Sequence, residues 1–171
     1  MTKMDKITEL MERKNPPLLT LKKRSGTVAI PALHEAVDAE LSGIPDEKRQ
    51  VILGLLFLWH DLGDAAHTAT EKYEGQPDSD LLHSFFHRRE GDYGNSEYWL
   101  RETGHHPLFD VLHTKVNPLL ENEEALRRKI LPNGKWDAKG FVRAIKEQPD
   151  SPLLRQVQAE EFLCYCDLLR A

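Results

Sequence analysis

The sequence predicts an all-α fold, built of stacked antiparallel helical hairpins with no sheet. Apolar residues recur at spacings of three and four along most of the chain, and no segment alternates with the period of two that a strand requires. Proline and glycine fall between these periodic segments, with Gly54 and Gly140 as the exceptions inside them. Two stretches, WHDLGDAAHTATEKYEGQPD and HRREGDYGNSEYWLRETGHHP, also look alike, as repeated hairpins would. A chain of 171 residues suits a single helical domain over 1–171, with the core hairpins at about 46–104.

Taken in order, Met4, Ile7 and Met11 share one face of a short first helix, which Asn15-Pro16-Pro17 follows. The irregular pattern from Leu18 to Ile30, with a Ser25-Gly26 turn, reads as loop. Pro31 suits the first turn of a helix whose stripe is Leu33, Val37 and Leu41, stopped by Gly43. The helix opening at Asp46 carries Val51, Ile52, Leu55, Leu56 and Trp59 and is apolar almost all round, so it should be the most buried. Leu62-Gly63-Asp64 breaks the pattern, and the alanines of the next helix (Ala65, Ala66, Ala69) imply close approach to a neighbour. Gly75-Gln76-Pro77 is the next break. Asp78 or Ser79 is the expected cap of a helix carrying Leu82, Phe85, Phe86 and Arg89, and Glu90-Gly91-Asp92 turns into a helix over Tyr93–Thr103. Gly104 stops it, and Pro107 starts another. Asn117-Pro118 predicts a further helix reaching Ile130, Asp137 caps a short one through Ile145, and Ser151-Pro152 opens the last.

Composition excludes several classes. A formal charge of -5 and a mean hydropathy of -0.54 argue against a nucleic-acid or membrane-surface protein, both of which usually show a basic face. The basic cluster Lys22-Lys23-Arg24 reads as a solvated loop. No secretory signal is visible, and the longest apolar run, Val51–Trp59, is far short of the roughly 20 residues a membrane span needs. Cys164 and Cys166, one residue apart on a helix, point to different faces and read as buried thiols of a cytoplasmic protein.

Superposing Gly63-Asp64 on Gly91-Asp92 relates the two similar blocks by 28 residues, with Thr68 and Ser96 at matching places. The pattern resembles the helix-turn-helix of tetratricopeptide-type repeats, which implies that neighbouring hairpins stack to bury their apolar faces. The second block also resembles the most characteristic segment of an uncharacterised family of bacterial and fungal proteins. Members of that family carry a similar His-Arg-Arg-Glu, Gly-Asp, Tyr-Trp and Gly-His-Pro progression. The likeness covers about the central third of the chain and implies kinship without an activity.

The candidate chemistry lies in the same region. His60, Asp64, His67 and Glu71 are spaced four, three and four, and His83, His87 and Glu90 repeat the four-three spacing, so antiparallel neighbours would bring two polar stripes face to face. Imidazoles four apart on one helix, joined by a carboxylate from another, suit Zn²⁺ or another transition metal. The expected ligands are His60 or His67 with Asp64, His83 and His87. No organic cofactor is expected. The same imidazoles could instead stack on aromatic rings or bond to Asp64 and Glu90 with no ion. Arg88 aligns with His60, a position where hairpin stacks present groove residues, and is the candidate for gripping an acidic ligand, whereas Arg89 is expected to pair with a buried acid. His105 and His106 read as a helix start, and Ser84 lacks the surroundings of a nucleophile.

The leading expectation is a helical-hairpin binding module for a peptide or small acidic ligand, using His60, Asp64, His67, His83, His87 and Arg88. The alternative is a metal-dependent hydrolase with Glu71 or Glu90 as base. A third is an oligomer-forming protein, a homodimer through the apolar last helix.

Overall fold

A computed structural model describes residues 5–171. Ten α-helices follow one another among the described residues: α1 (Lys6–Leu10), α2 (Ile30–Glu40), α3 (Asp46–Trp59), α4 (Gly63–Glu71), α5 (Pro77–Glu90), α6 (Tyr93–Thr103), α7 (Pro107–Val116), α8 (Glu124–Ile130), α9 (Ala138–Glu147) and α10 (Pro152–Arg170). Single 3-10 turns lie at Asn117–Leu120 and Pro132–Gly134, and no strand occurs among the described residues. Met4, expected in the first helix, lies outside them.

Local signals set most boundaries. Asp5, Asp92, Asp137 and Ser151 each accept a backbone N–H three residues on, satisfying a donor that the first helical turn leaves free. Two expectations fail at this level. The helix α5 begins at Pro77 after Gln76, so Asp78 and Ser79 sit inside its first turn rather than capping it. Asn117 keeps helical backbone angles after α7, and the single helix expected over 117–130 splits into a 3-10 turn and α8.

The helices α3–α4 and α5–α6 form two antiparallel hairpins, and α4 packs on α5 so that the hairpins stack. Every residue of α3 from Val51 to Trp59 is buried. Helices α2, α5 and α10 all lie against α3, which explains why its sequence is apolar on all sides. Gly54 is where α3 meets α4 and α5: a Cβ there would collide with Leu82 and touch Ala69. Gly140 serves the α8–α9 contact, where a Cβ would collide with the backbone carbonyl of Lys129.

The two hairpin turns are equivalent, but at an offset of 30 residues and not 28. Asp61 N–H donates to Leu58 O and Leu62 N–H to Phe57 O; Gly91 N–H donates to Arg88 O and Asp92 N–H to His87 O. Both are Schellman closures, which need one residue of positive φ. Gly91 supplies it at φ 86, where glycine has no steric penalty, and Asp61 supplies it at φ 62. The Gly-Asp pairs that the sequence aligns are therefore not structural equivalents. The offset of 30 also matches Ala66 with Ser96, both fully buried.

The last helix turns most of its apolar stripe into the core. Its apolar residues, Val157, Phe162, Tyr165 and Leu169 among them, are buried inside this chain against α3 and α7. No helix among the described residues is long and apolar enough to cross a membrane.

Candidate functional site

The stacking of α4 on α5 brings three imidazoles together. His83 and His87 stand one turn apart on α5 and share a face, with ring centroids 4.7 Å apart and planes 20° from parallel. His67 enters from α4, its ring 4.9 Å from His83 and 5.7 Å from His87. Each of the three offers a ring nitrogen within 4.8 Å of the others. The closest pair is His67 Nε2 and His83 Nε2, 3.0 Å apart.

Aromatic neighbours hold these rings. Trp99 of α6 stacks on His83 at 3.9 Å, and Phe86 stacks on His67 at 4.7 Å. Behind His87, the Glu90 carboxylate accepts from Nδ1 at 2.6 Å. A carboxylate accepts only, so Nδ1 carries the proton and the Nε2 lone pair of His87 is free. Glu71 stands behind His67 in a looser version of the same relation, 3.9 Å from its Nδ1.

His83 is the unusual member. It is 4% exposed, and its Nδ1 has no hydrogen-bond partner among the described residues. The Nε2–Nε2 contact holds a single proton, so either tautomer of His83 leaves one buried nitrogen unpaired. A buried polar group without a partner costs about 1–3 kcal/mol, and a bound ion or water is one way to satisfy it. Burial, reinforced by His87 and His67, lowers the pKa of His83 to about 3. The ring is therefore neutral and keeps a lone pair for a ligand at neutral pH.

The remaining expected site residues lie elsewhere. His60 ends α3, and both of its nitrogens are used: Nδ1 accepts Val28 N–H at 3.1 Å, which leaves Nε2 to donate to Leu10 O at 2.9 Å. It ties the N-terminal segment down and does not join the cluster. The break at Asp61–Leu62 turns α4 away from the line of α3, so the four-residue spacing of His60 and Asp64 does not make them neighbours. Asp64 is exposed in the first turn of α4, where a carboxylate complements the helix dipole.

Arg88 is not a groove residue. It is 2% exposed, and its guanidinium donates to Glu161 at 2.5 and 3.1 Å and to Gln158 at 3.3 Å. Its charge lies 4.8 Å from the rings of Phe85 and Phe141. Arg88 thus fastens α10 to α5. Arg89 pairs with the buried Asp61 at 2.9 Å, the role expected of it.

Ser84 donates to Ser96 O inside the hairpin and is no nucleophile. His106 caps α7 by accepting Leu108 N–H and contacts Asp78 at 2.8 Å, while His105 pairs with Asp110 in solvent. Sequence reasoning missed Asn95 and the role of Trp99 as a wall of the cluster. Asn95 Nδ2 lies 3.4 Å from His87 Nδ1, and Asn95 and Trp99 are four apart on α6, which was the available signal.

Three histidines from adjacent antiparallel helices, one backed by a carboxylate, match the donor set of a transition metal. Two ligands of a tetrahedral zinc ion, each about 2.0–2.1 Å from the metal, stand about 3.3 Å apart. The 3.0 Å between His67 Nε2 and His83 Nε2 is close to that separation. The chain matches no protein-family profile, no curated protein and no solved structure.

Proposed function

We propose that this protein binds a divalent transition metal through His67, His83 and His87, with Zn²⁺ the first candidate. The observation that carries the reading is the approach of His67 Nε2 to His83 Nε2 at 3.0 Å, beside a buried His83 nitrogen with no partner. Imidazole nitrogens suit a borderline-soft ion, and the His67 side chain, 37% exposed, leaves a solvent-facing side where a further ligand can bind. A bound ion would supply Lewis acidity there.

The carboxylates support metal binding more than hydrolysis. Glu90 and Glu71 stand next to Nδ1 atoms, on the side of each ring away from Nε2, where they set tautomer and orientation. That is the place of an orienting group, not of a base acting on a metal-bound water.

Elemental analysis of protein purified without a histidine tag, followed by Co²⁺ titration monitored by visible absorption, tests the reading. About one ion per chain retained through dialysis, with tetrahedral Co²⁺ bands, is expected. His67→Ala should abolish retention while leaving helicity intact, because His67 is half-exposed. Metal that dialyses away from the wild type, or an unchanged Co²⁺ spectrum in His67→Ala, would mean that the rings only stack on one another.

A further inference from the structure

The charge of this chain is unevenly placed. Residues Arg127–Lys146 hold seven of its 23 Lys and Arg but one of its 28 Asp and Glu, in a molecule whose total is -5. Within that stretch Arg128, Lys129 and Arg143 are partnered by Glu124, Glu147 and Glu97. Arg127, Lys135, Lys139 and Lys146 have no ion pair among the described residues.

Two clefts flank the Pro132–Gly134 turn on this face and share Pro132 and Asn133. One, of about 410 Å³, is lined by Arg127, Arg128 and Leu131. The other, of about 440 Å³, has apolar walls of Leu100, Phe109 and Trp136; Lys135 and Lys139 also line it, as does Asp137, whose carboxylate is engaged in capping α9 by accepting Gly140 N–H. Trp136 is 7% exposed, yet its indole N–H has no acceptor among the described residues. The turn between the clefts is held in shape by Asn133 and Gly134, both at positive φ.

We infer that this face is a docking groove for an acidic peptide segment carrying an apolar or aromatic side chain. The side chain enters the cleft between Phe109 and Trp136. Flanking carboxylates meet Lys135 and Lys139 on one side of the turn and Arg127 on the other. Charge complementarity selects the occupant: unpaired cations around an apolar cleft match acidic groups around an apolar anchor. A nucleic acid fits less well, because the rest of this acidic surface repels a polyphosphate and the cleft offers apolar walls, not an extended basic track. The groove is separate from the histidine cluster and does not depend on it.

The test is fluorescence anisotropy of the full chain with a labelled peptide of glutamates flanking a central Phe. Its counterparts are the same peptide with glutamines and a single-stranded oligonucleotide of equal charge. Saturable binding of the glutamate peptide is expected, weakened at least about tenfold by Lys135→Glu with Lys139→Glu. The charge-matched pair Lys22→Glu with Lys23→Glu should change it less than about twofold. Lys135→Gln with Lys139→Gln gives a smaller loss and serves if the reversed pair does not fold. Absence of binding, equal weakening by both reversed pairs, equal affinity for the glutamine peptide, or tighter binding of the oligonucleotide would each overturn the inference.

Discussion

Arg89, in the last turn of α5, and Asp61, in the turn between α3 and α4, form an ion pair at 2.9 Å with both side chains fully buried. The same guanidinium donates to Leu18 O at 3.0 Å, to Thr20 O at 2.7 Å and to Leu58 O. Asp61 also accepts from the backbone and side chain of Arg24. One buried guanidinium thus joins both hairpins to the irregular segment that wraps them. Burial lowers the pKa of Arg89 to about 10, against the pull of Asp61, so it stays charged at neutral pH.

Arg89→Met should destabilise the fold by about 3–5 kcal/mol, because it leaves Oδ1 of the buried Asp61 carboxylate and the carbonyl of Thr20 without a donor and removes one of the two guanidinium partners of Asp61. Arg89→Lys should recover little, since one ammonium cannot reach four acceptors held for a planar fork. Urea unfolding measures both. A loss under about 1 kcal/mol in Arg89→Met would show that the pair is not what joins the hairpins.

Burial raises the pKa of Asp61, but bonds from Arg24 and Arg89 outweigh it and hold the carboxyl below its ordinary value. The unfolded chain therefore takes up the proton first. The stabilisation is complete above the unfolded value of about 3.9 and is lost as pH falls toward the folded one. Asp5 and Asp78 are lowered too and act in the same window, whereas burial raises Glu161, which acts in the opposite sense. Unfolding midpoints of the wild type should fall below about pH 4, and those of Asp61→Asn should start lower and fall less steeply. Parallel curves for the two proteins would remove Asp61 from the account.

Glu90 positions His87 without facing the converging nitrogens. Glu90→Ala should weaken Co²⁺ or Zn²⁺ binding by about 10–100-fold, and Glu90→Gln should restore part of it, because an amide oxygen can still accept from Nδ1. Far-UV circular dichroism should not change, as Glu90 lies at the surface. Equal affinities for wild type and Glu90→Ala would leave His87 outside the ligand set.

The two helix-interior glycines should respond differently to alanine. At Gly54 the colliding atoms are the end of the Leu82 side chain, which can shift slightly, and alanine gains about 1 kcal/mol of helix propensity. At Gly140 the obstacle is the carbonyl of Lys129, which moves only with α8. Gly140→Ala should therefore cost at least the about 1–3 kcal/mol typical of overpacking, and more than Gly54→Ala. The reverse order in urea unfolding would mean that α8 and α9 are free to slide.

Determined by sequence alone were the helical class, the order of the helices and the buried character of α3, since period, caps and breakers act within a few residues. The pairing of Arg89 with a buried acid was legible too, because a charge on an apolar helix face must be paired. Only the tertiary structure decided which histidines meet. His60 and His67 have equal claims by spacing, and the left-handed turn at Asp61 separates them. It also decided that Arg88 faces Glu161, a partner 73 residues away, and that the two hairpin turns correspond at an offset of 30 residues. Those outcomes depend on how far α4 rotates against α5 and where α10 lies, angles that arise from packing the whole core and that no local stretch encodes.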